Sequence, residues 1–108
     1  MVPNRLERLL EFVRDHPDDA FARYGLAMEY ARTGRGEAAL EEFAALRERH
    51  PDYAAGYQQA GQLLIAHERP AEARALLVAG VAAALRSGDR HAAAEMHGLL
   101  DELPPAPA

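Results

Sequence analysis

Cysteine, tryptophan and lysine are absent from the 108-residue sequence. Without cysteine, the chain can form neither disulfide bridges nor thiolate metal sites. Aromatic residues contribute only 6%, and β-branched residues are scarce, whereas alanine and leucine dominate an apolar fraction of 49%. Because alanine and leucine are strong helix formers, we expect a mainly helical chain whose small side chains let helices approach closely.

Basic charge is neither abundant nor concentrated. The 12 basic residues, all arginine, are mixed along the chain with 17 acidic ones, which leaves a net charge of −5. A protein that wraps a phosphate backbone needs a concentrated basic face, and the sequence has no such arginine cluster. Nucleic acid is therefore not expected as a partner. The exclusive use of arginine indicates a coding bias in the source genome.

Long hydrophobic runs are also missing. The longest apolar run, residues 75–85, is bounded by arginines and is far short of the roughly 20 residues that cross a bilayer. Arg5, Glu7 and Arg8 interrupt the leucines near the start of the chain, which therefore lacks the apolar core of a signal peptide. We expect a soluble, cytoplasmic protein without a membrane partner.

Helix-breaking residues divide the sequence into six helical stretches. The predicted helices cover residues 5–15, 19–32, 37–49, 53–67, 70–86 and 90–103. Their short connections predict that consecutive helices pack as antiparallel neighbours. No strand alternation appears, so the predicted class is all-α. The proline-rich residues 104–108 have nothing to bury and are predicted to form a disordered tail.

Local signals mark the ends of these helices. Asn4, with Glu7 three residues later, indicates a capping box at the first helix. Asp18 or Asp19 suits the start of the second helix, and Asp89 suits the start of the sixth. Two glycines follow the second helix, where they can adopt the positive φ that a helix-ending turn requires.

The triplet His16-Pro17-Asp18 recurs 34 residues later as His50-Pro51-Asp52. A fixed period of this length is typical of a chain built by stacking one helical unit on the next. The prolines stop the preceding helices, and a histidine near a helix C-terminus interacts favourably with the helix dipole. We therefore interpret the histidines and aspartates of the triplets as helix ends and caps rather than as ligands.

Twelve residues fall on the fixed points of a 34-residue pattern when one unit begins at Ala20 and the next at Ala54. They are Leu26, Ala27, Tyr30, Ala39, Phe43 and Pro51, followed by Tyr57, Gly61, Leu64, Ala73, Leu77 and Gly80. In this register the small residues let paired helices touch, and the large ones fill the seam between units. The pattern resembles the tetratricopeptide repeat family, which places an alanine, an aromatic residue and a proline at such points.

Three positions depart from the family pattern. Arg23 stands where a large apolar residue is expected, Leu46 replaces a small residue, and Leu85 stands where a third proline would fall. Upstream of the first unit, Leu9 and Phe12 fit the second helix of a preceding half unit. The sixth stretch matches the pattern weakly and is interpreted as a closing helix, with an apolar stripe of Ala92, Met96, Leu99 and Leu103.

The resemblance implies a right-handed helical solenoid of about six antiparallel helices. It implies a single domain over residues 1–103, made of an N-terminal helix at 4–17, repeats at 20–53 and 54–87, and a closing helix at 88–103. It also implies a protein-interaction scaffold whose partner is a protein or a peptide, since stacked units form a surface that grips other proteins.

In the family, the first helix of each unit lines a concave groove. The resemblance therefore implies two groups of partner-binding residues, which we call the first-repeat set and the second-repeat set. The first-repeat set is Phe21, Tyr24, Met28 and Arg32, and the second-repeat set is Gln58, Gln59, Gln62 and Ile65. An aromatic and methionine patch beside a row of amides suits a partner with apolar anchors. The alternative is that Phe21 and Met28 pack as ordinary core.

Some members of the family hold the C-terminal carboxylate of chaperones with lysines and asparagines. The corresponding positions here carry Tyr24, Met28 and Gln59, and the chain has no lysine. A chaperone-tail binder is therefore not expected.

Enzyme signatures are lacking, so we expect no catalytic residue, no cofactor and no metal. His91 and Glu95 are four residues apart and could share a metal, but a third ligand is not evident. A solvated helix face is the favoured interpretation of this pair. The one serine, Ser87, has no histidine and acid at motif spacing, and the glycines of residues 34–36 lack the rest of a phosphate motif.

The alternative function is a structural module that self-associates. Short helical arrays expose apolar end faces, because each unit is buried only against its neighbours. The two end helices carry Leu6, Leu10 and Val13 at one side and Met96, Leu99 and Leu100 at the other. If these residues exceed what internal packing uses, we expect a homodimer that forms through an end helix.

Overall fold

The structure is a computed structural model that describes residues 2–106. It contains six helices: α1 (Arg5–Asp15), α2 (Ala20–Arg32), α3 (Gly36–Arg49), α4 (Ala54–Ala66), α5 (Pro70–Arg86) and α6 (Arg90–Glu102). No strand occurs among the described residues. The predicted all-α class is confirmed, and the observed helix ends differ from the predicted ones by at most one residue.

The described residues divide into two compact units. The first unit reaches to His50 and contains α1, α2 and α3, whereas the second begins at Pro51 and contains α4, α5 and α6. None of the helices in the described range is both long enough and apolar enough to cross a membrane. Beyond α6, Arg74 of α5 donates a hydrogen bond to the carbonyl of Pro104. The tail prediction also covers Pro107 and Ala108, which lie outside the described residues.

Helix starts follow the local signals. The Asn4 side chain accepts a hydrogen bond from the Glu7 amide at 2.8 Å, which confirms the predicted cap of α1. Asp19 caps α2 by accepting from the Ala22 amide at 2.9 Å, and Asp89 caps α6 through Ala92 at 3.0 Å. Of the two candidates for α2, the cap is therefore Asp19, which leaves Asp18 available for another role.

Three helices end in the same left-handed turn. Gly34 after α2 and Gly88 after α5 have φ of 81° and 76°, as expected of glycine. The turn after α4 instead has Glu68 at this place, with φ of 58°. Gly36, the second glycine predicted for such a role, is the first residue of α3. The same backbone hydrogen bond closes all three ends, from Arg35 to Tyr30, from Arg69 to Leu64 and from Asp89 to Ala84.

The aspartates of the two His-Pro-Asp triplets are not caps, so this part of the prediction is wrong. His16 and His50 do stand at the C-terminal ends of α1 and α3. Asp18, however, pairs with Arg49, and Asp52 pairs with Arg86. The N-cap position of α4 is Tyr53, and no side-chain cap hydrogen bond forms there. Both aspartates serve tertiary contacts within their own units.

In the first unit, α1 and α2 pack around Val13, Ala22 and Leu26. On the other side of α2, the rings of Tyr24 and Phe43 meet edge to face with centroids 6.3 Å apart. Arg23, where the family pattern expects a large apolar residue, is largely buried, and its Nη1 donates to Glu42 of α3 at 2.9 Å. An ion pair thus links α2 to α3 where an apolar contact was expected.

In the second unit, two glycines let helices touch. A Cβ at Gly61 would lie 2.7 Å from Cδ2 of Leu77, so α4 and α5 are in direct contact there. A Cβ at Gly80 would lie 2.6 Å from the Tyr57 Cβ and 2.5 Å from the Met96 Sδ. The predicted small-residue points are therefore confirmed as sites of close helix packing.

The end helices use most of their apolar residues internally. Val13 is buried in the core of the first unit, and Met96 is buried in the core of the second. Leu99, Leu100 and Leu103 also pack against the second core. Val13 and Met96 therefore add nothing to an exposed end face, because each is buried in the core of its own unit. The apolar stripe predicted for the closing helix packs against the core of the second unit.

Candidate partner-binding site

A cavity of about 580 Å³ lies between α1 and α2 in the first unit. All four residues of the first-repeat set line it: Phe21, Tyr24, Met28 and Arg32. The remaining lining residues are Arg5 and Leu9 from α1 and Ala22, Gly25 and Glu29 from α2. The structure thus brings the first-repeat set together around one volume.

Helix periodicity explains why these residues converge. Residues spaced by three, four and seven positions lie on one face of a helix, and Phe21, Tyr24 and Met28 have this spacing on α2. Two small residues, Ala22 and Gly25, lie on the same stretch. A Cβ at Gly25 would meet Leu9 Cδ2 at 3.6 Å, an ordinary contact. Glycine at this position leaves the volume of a side chain unfilled beside Leu9 of α1.

Phe21 is the most prominent apolar side chain of the site. It is 77% exposed, which contradicts the alternative that it packs as core. Met28 and Tyr24 are half-buried, and Tyr24 is supported from behind by its edge-to-face contact with Phe43. The cavity therefore presents one exposed aromatic ring beside two side chains that the fold holds in place.

A buried carboxylate stands at the polar end of the cavity. The Glu29 side chain is only 2% exposed, and it accepts from Nε of Arg32 at 2.6 Å and pairs with Nε of Arg5 at 3.3 Å. Both arginine side chains are about 70% exposed. A buried carboxylate is tolerated only when paired, so Glu29 holds the two guanidinium groups at the rim of the cavity.

Arg5 and Glu29 were not identified from the sequence. Glu29 is three residues before Arg32, a spacing that allows an ion pair on one helix. That spacing does not reveal that the carboxylate is buried, nor that Arg5 approaches it from α1. The sequence does show that Glu29 lies close to the predicted core positions Leu26, Ala27 and Tyr30. Its role as a partner of Arg5 becomes visible only when α1 packs on α2.

The second-repeat set lies on α4 in the second unit. Gln58 is half-buried and donates from Nε2 to Oε2 of Glu95 on α6 at 3.1 Å. Ile65 packs against the core of this unit, Gln59 is half-buried, and Gln62 is exposed. Gln62 is therefore the member of this set whose side chain is most accessible.

His91 and Glu95, which the sequence offers as a metal pair, contact each other on α6, with Nε2 2.5 Å from Oε1. No group of three or more histidine, aspartate or glutamate side chains within residues 2–106 is arranged to hold a metal ion. Glu95 is instead shared between His91 and Gln58, so α6 contributes polar contacts beside the second-repeat set.

The chain is similar to known proteins, although no family model matches it. A TPR repeat-containing protein of Pseudomonas aeruginosa is 33% identical over 98 residues, which cover 91% of this chain and 93% of that protein. The solution structure of a tetratricopeptide repeat domain protein from Salinibacter ruber matches with a TM-score of 0.74 and 30% identity, over 78% of this chain and 85% of that one. The solution structure of a Bordetella parapertussis protein matches with a TM-score of 0.77 and 27% identity, over 93% and 87% of the two chains.

Proposed function

Because the chain belongs to the tetratricopeptide repeat family, we propose that it is a non-catalytic cytoplasmic module that binds a peptide or a helix of a partner protein. The residues that we propose contact the partner are the first-repeat set in the first unit and the second-repeat set in the second unit. The observation that carries this proposal is the convergence of the first-repeat set, with its exposed Phe21, on one cavity.

The cavity has the size and the lining that a side-chain anchor needs. Its volume of about 580 Å³ falls within the roughly 300–1,000 Å³ typical of ligand pockets. Its walls combine an aromatic ring, a methionine and a leucine with a few polar groups at one end. A methionine adapts its shape to different apolar groups, and an exposed aromatic ring gains contact area when a partner covers it. These properties favour an apolar side chain of a partner as the occupant.

The charged groups of the cavity are paired with one another. Glu29 is paired with Arg5 and Arg32, an arrangement that holds two guanidinium groups beside the apolar walls.

In the second unit, Gln62 is the residue best placed to contact a partner, since its amide is exposed. Gln58 uses its amide on Glu95. We therefore expect the second-repeat set to contribute polar contacts mainly through Gln62, and the first-repeat set to contribute the apolar anchor site.

The test is a selection of random peptides displayed on phage against the intact chain. Peptides that bind the wild type should lose binding to a Tyr24→Ala, Gln62→Ala variant and should keep binding to Glu48→Ala, which changes an exposed position of α3. Circular dichroism should show the same helical content in all three proteins. Binding that survives in the double variant would place the site elsewhere.

A second candidate function is self-association through α1, favoured by the exposure of Leu10 and Phe12 on that helix. The other end helix, α6, exposes less apolar surface, because Met96 is buried and Leu99 and Leu100 pack against the second core. Sedimentation equilibrium at micromolar concentration tests this candidate. A dimer that is lost in Leu10→Glu supports it, and a monomer at all concentrations contradicts it.

A further inference from the structure

A second hollow lies beside the cavity along α1. This hollow has a volume of about 340 Å³ and is lined by Arg5, Arg8, Leu9 and Phe12. Arg5 and Leu9 line both volumes, so the two share a wall. Together they form one strip whose apolar side chains are Phe12, Leu9, Phe21, Tyr24 and Met28. We call it the arginine-rimmed strip.

The charge of the strip is strongly one-sided. Three arginines line it, Arg5, Arg8 and Arg32, against a single carboxylate, Glu29. None of the three acidic residues of α1, Glu7, Glu11 and Asp15, lines either hollow. A chain with a net charge of −5 therefore has a local positive surface beside its exposed aromatic rings.

The arginines keep donors for a partner. Arg32 uses Nε and Nη2 on Glu29. Arg8 uses Nη1 on the Pro3 carbonyl, and Arg5 approaches Glu29 through Nε. A guanidinium carries five N–H donors, and a fork of two donors matches a carboxylate. Each arginine thus has N–H groups left over to receive an acidic side chain.

From this combination we propose that the arginine-rimmed strip binds an acidic segment of the partner, in which apolar anchors alternate with internal aspartate or glutamate side chains. The apolar anchors enter the two hollows, and the carboxylates pair with Arg5, Arg8 and Arg32. This inference rests on the proposed function and names the chemistry of its partner. Because the two hollows adjoin at Leu9 and Arg5, we expect the segment to occupy both, with the carboxylates supplied by its side chains.

The probe is an mRNA-displayed library of twelve-residue peptides built from leucine, phenylalanine, glutamate, glutamine and lysine. Each peptide is joined to its message at the C-terminus, so free terminal carboxylates are absent. Binders are collected on the wild-type chain, and those that also bind Phe21→Ala are removed. Among the remaining peptides, glutamate should be enriched severalfold over lysine and glutamine.

Substitution of one rim arginine tests the charge contribution. Arg8→Gln leaves the Glu29 ion pairs intact and should weaken a selected acidic peptide about fivefold, the effect expected of one partly exposed ion pair. The matched control is Arg90→Gln, which removes the same charge from an exposed position of α6 and should leave the affinity unchanged. Raising the salt concentration should weaken the wild-type complex as well.

The outcomes separate this inference from the proposed function. Phe21-dependent peptides without glutamate enrichment would overturn the acidic partner and leave the proposed function standing. Equal losses of peptide affinity in Arg8→Gln and Arg90→Gln would also overturn the acidic partner. A tenfold gain when a selected peptide is shortened to end in a free carboxylate would show that a chain end is recognised instead. If no Phe21-dependent peptide is selected, the proposed function fails and the inference fails with it.

Discussion

Arg86 in the last turn of α5 donates from Nε to Oδ1 of Asp52 across 2.7 Å, and its Nη2 reaches the Pro51 carbonyl at 3.2 Å. The first unit repeats the arrangement. Arg49 donates from Nη1 to Oδ1 of Asp18 at 2.6 Å and to the carbonyl of Pro17 at 3.3 Å. Each His-Pro-Asp triplet is thus held by an arginine from the end of the next antiparallel helix pair. The recurring triplet is an attachment point for that helix.

The first prediction concerns this pair. Hydrogen bonding to Asp52 raises the pKa of the Arg86 guanidinium, which favours its charged form. Both side chains are half exposed, and such pairs contribute little. Arg86→Gln should therefore lower the melting temperature by no more than about 4 °C. Asp52→Asn should give a similar loss, and the double variant should lose no more than either single one. Additive losses in thermal denaturation would show that the two residues do not interact.

The second prediction concerns Glu68, which has a positive φ where Gly34 and Gly88 stand in the other two turns. A left-handed backbone costs a non-glycine residue about 1–2 kcal/mol. Glycine avoids this cost, but part of the gain is lost because glycine has more conformational freedom in the unfolded chain. Glu68→Gly should raise the free energy of unfolding by about 0.5–1 kcal/mol, measured by urea denaturation. The reciprocal control, Gly34→Ala, should lower it. A destabilised Glu68→Gly would mean that the carboxylate has a role of its own.

The third prediction concerns the glycines of close packing. Gly80→Ala should destabilise the protein by about 1–3 kcal/mol, because the new Cβ would lie 2.6 Å from the Cβ of Tyr57. Gly61→Ala should cost less, since its nearest neighbours are outer side-chain atoms of Leu77 and not a Cβ fixed to the backbone. Gly98→Ala meets nothing within 4 Å on α6 and should stabilise by about 0.5–1 kcal/mol through helix propensity. Chemical denaturation of the three variants gives the order directly, and equal effects would contradict this packing.

The helices were predictable because their ends depend on local signals. Asn4, Asp19 and Asp89 cap helices whatever the rest of the chain does. The close packing at Gly61 and Gly80 was also predictable, because the repeat register assigns small residues to helix seams. These features depend on residues a few positions apart or on a fixed period, and both can be read from one sequence.

The pairings across helices could not be predicted. An aspartate before a helix usually caps that helix, yet Asp18 pairs with Arg49 on α3. The sequence does not mark Glu29, because the burial of Glu29 depends on where α1 crosses α2. Arg5 reaches Glu29 only in the folded unit. Such contacts depend on the angle and position at which two helices cross, and local sequence signals do not determine that crossing.

The last prediction tests the cavity without removing any of its walls. Gly25→Leu places a side chain in the space between α1 and α2, where a Cβ makes only an ordinary contact with Leu9. Replacing a helical glycine should also stabilise α2 by about 0.5–1 kcal/mol. We therefore expect a protein at least as stable as the wild type that has lost the binding of its peptide ligands.

The matched control is Gly98→Leu, the same substitution on an open face of α6, which should gain similar stability and keep its binding. Urea denaturation and fluorescence anisotropy with a selected peptide measure the two effects. Because the filled cavity removes only the volume, loss of binding in Gly25→Leu alone assigns the anchor site to this cavity, and equal binding by both variants excludes it.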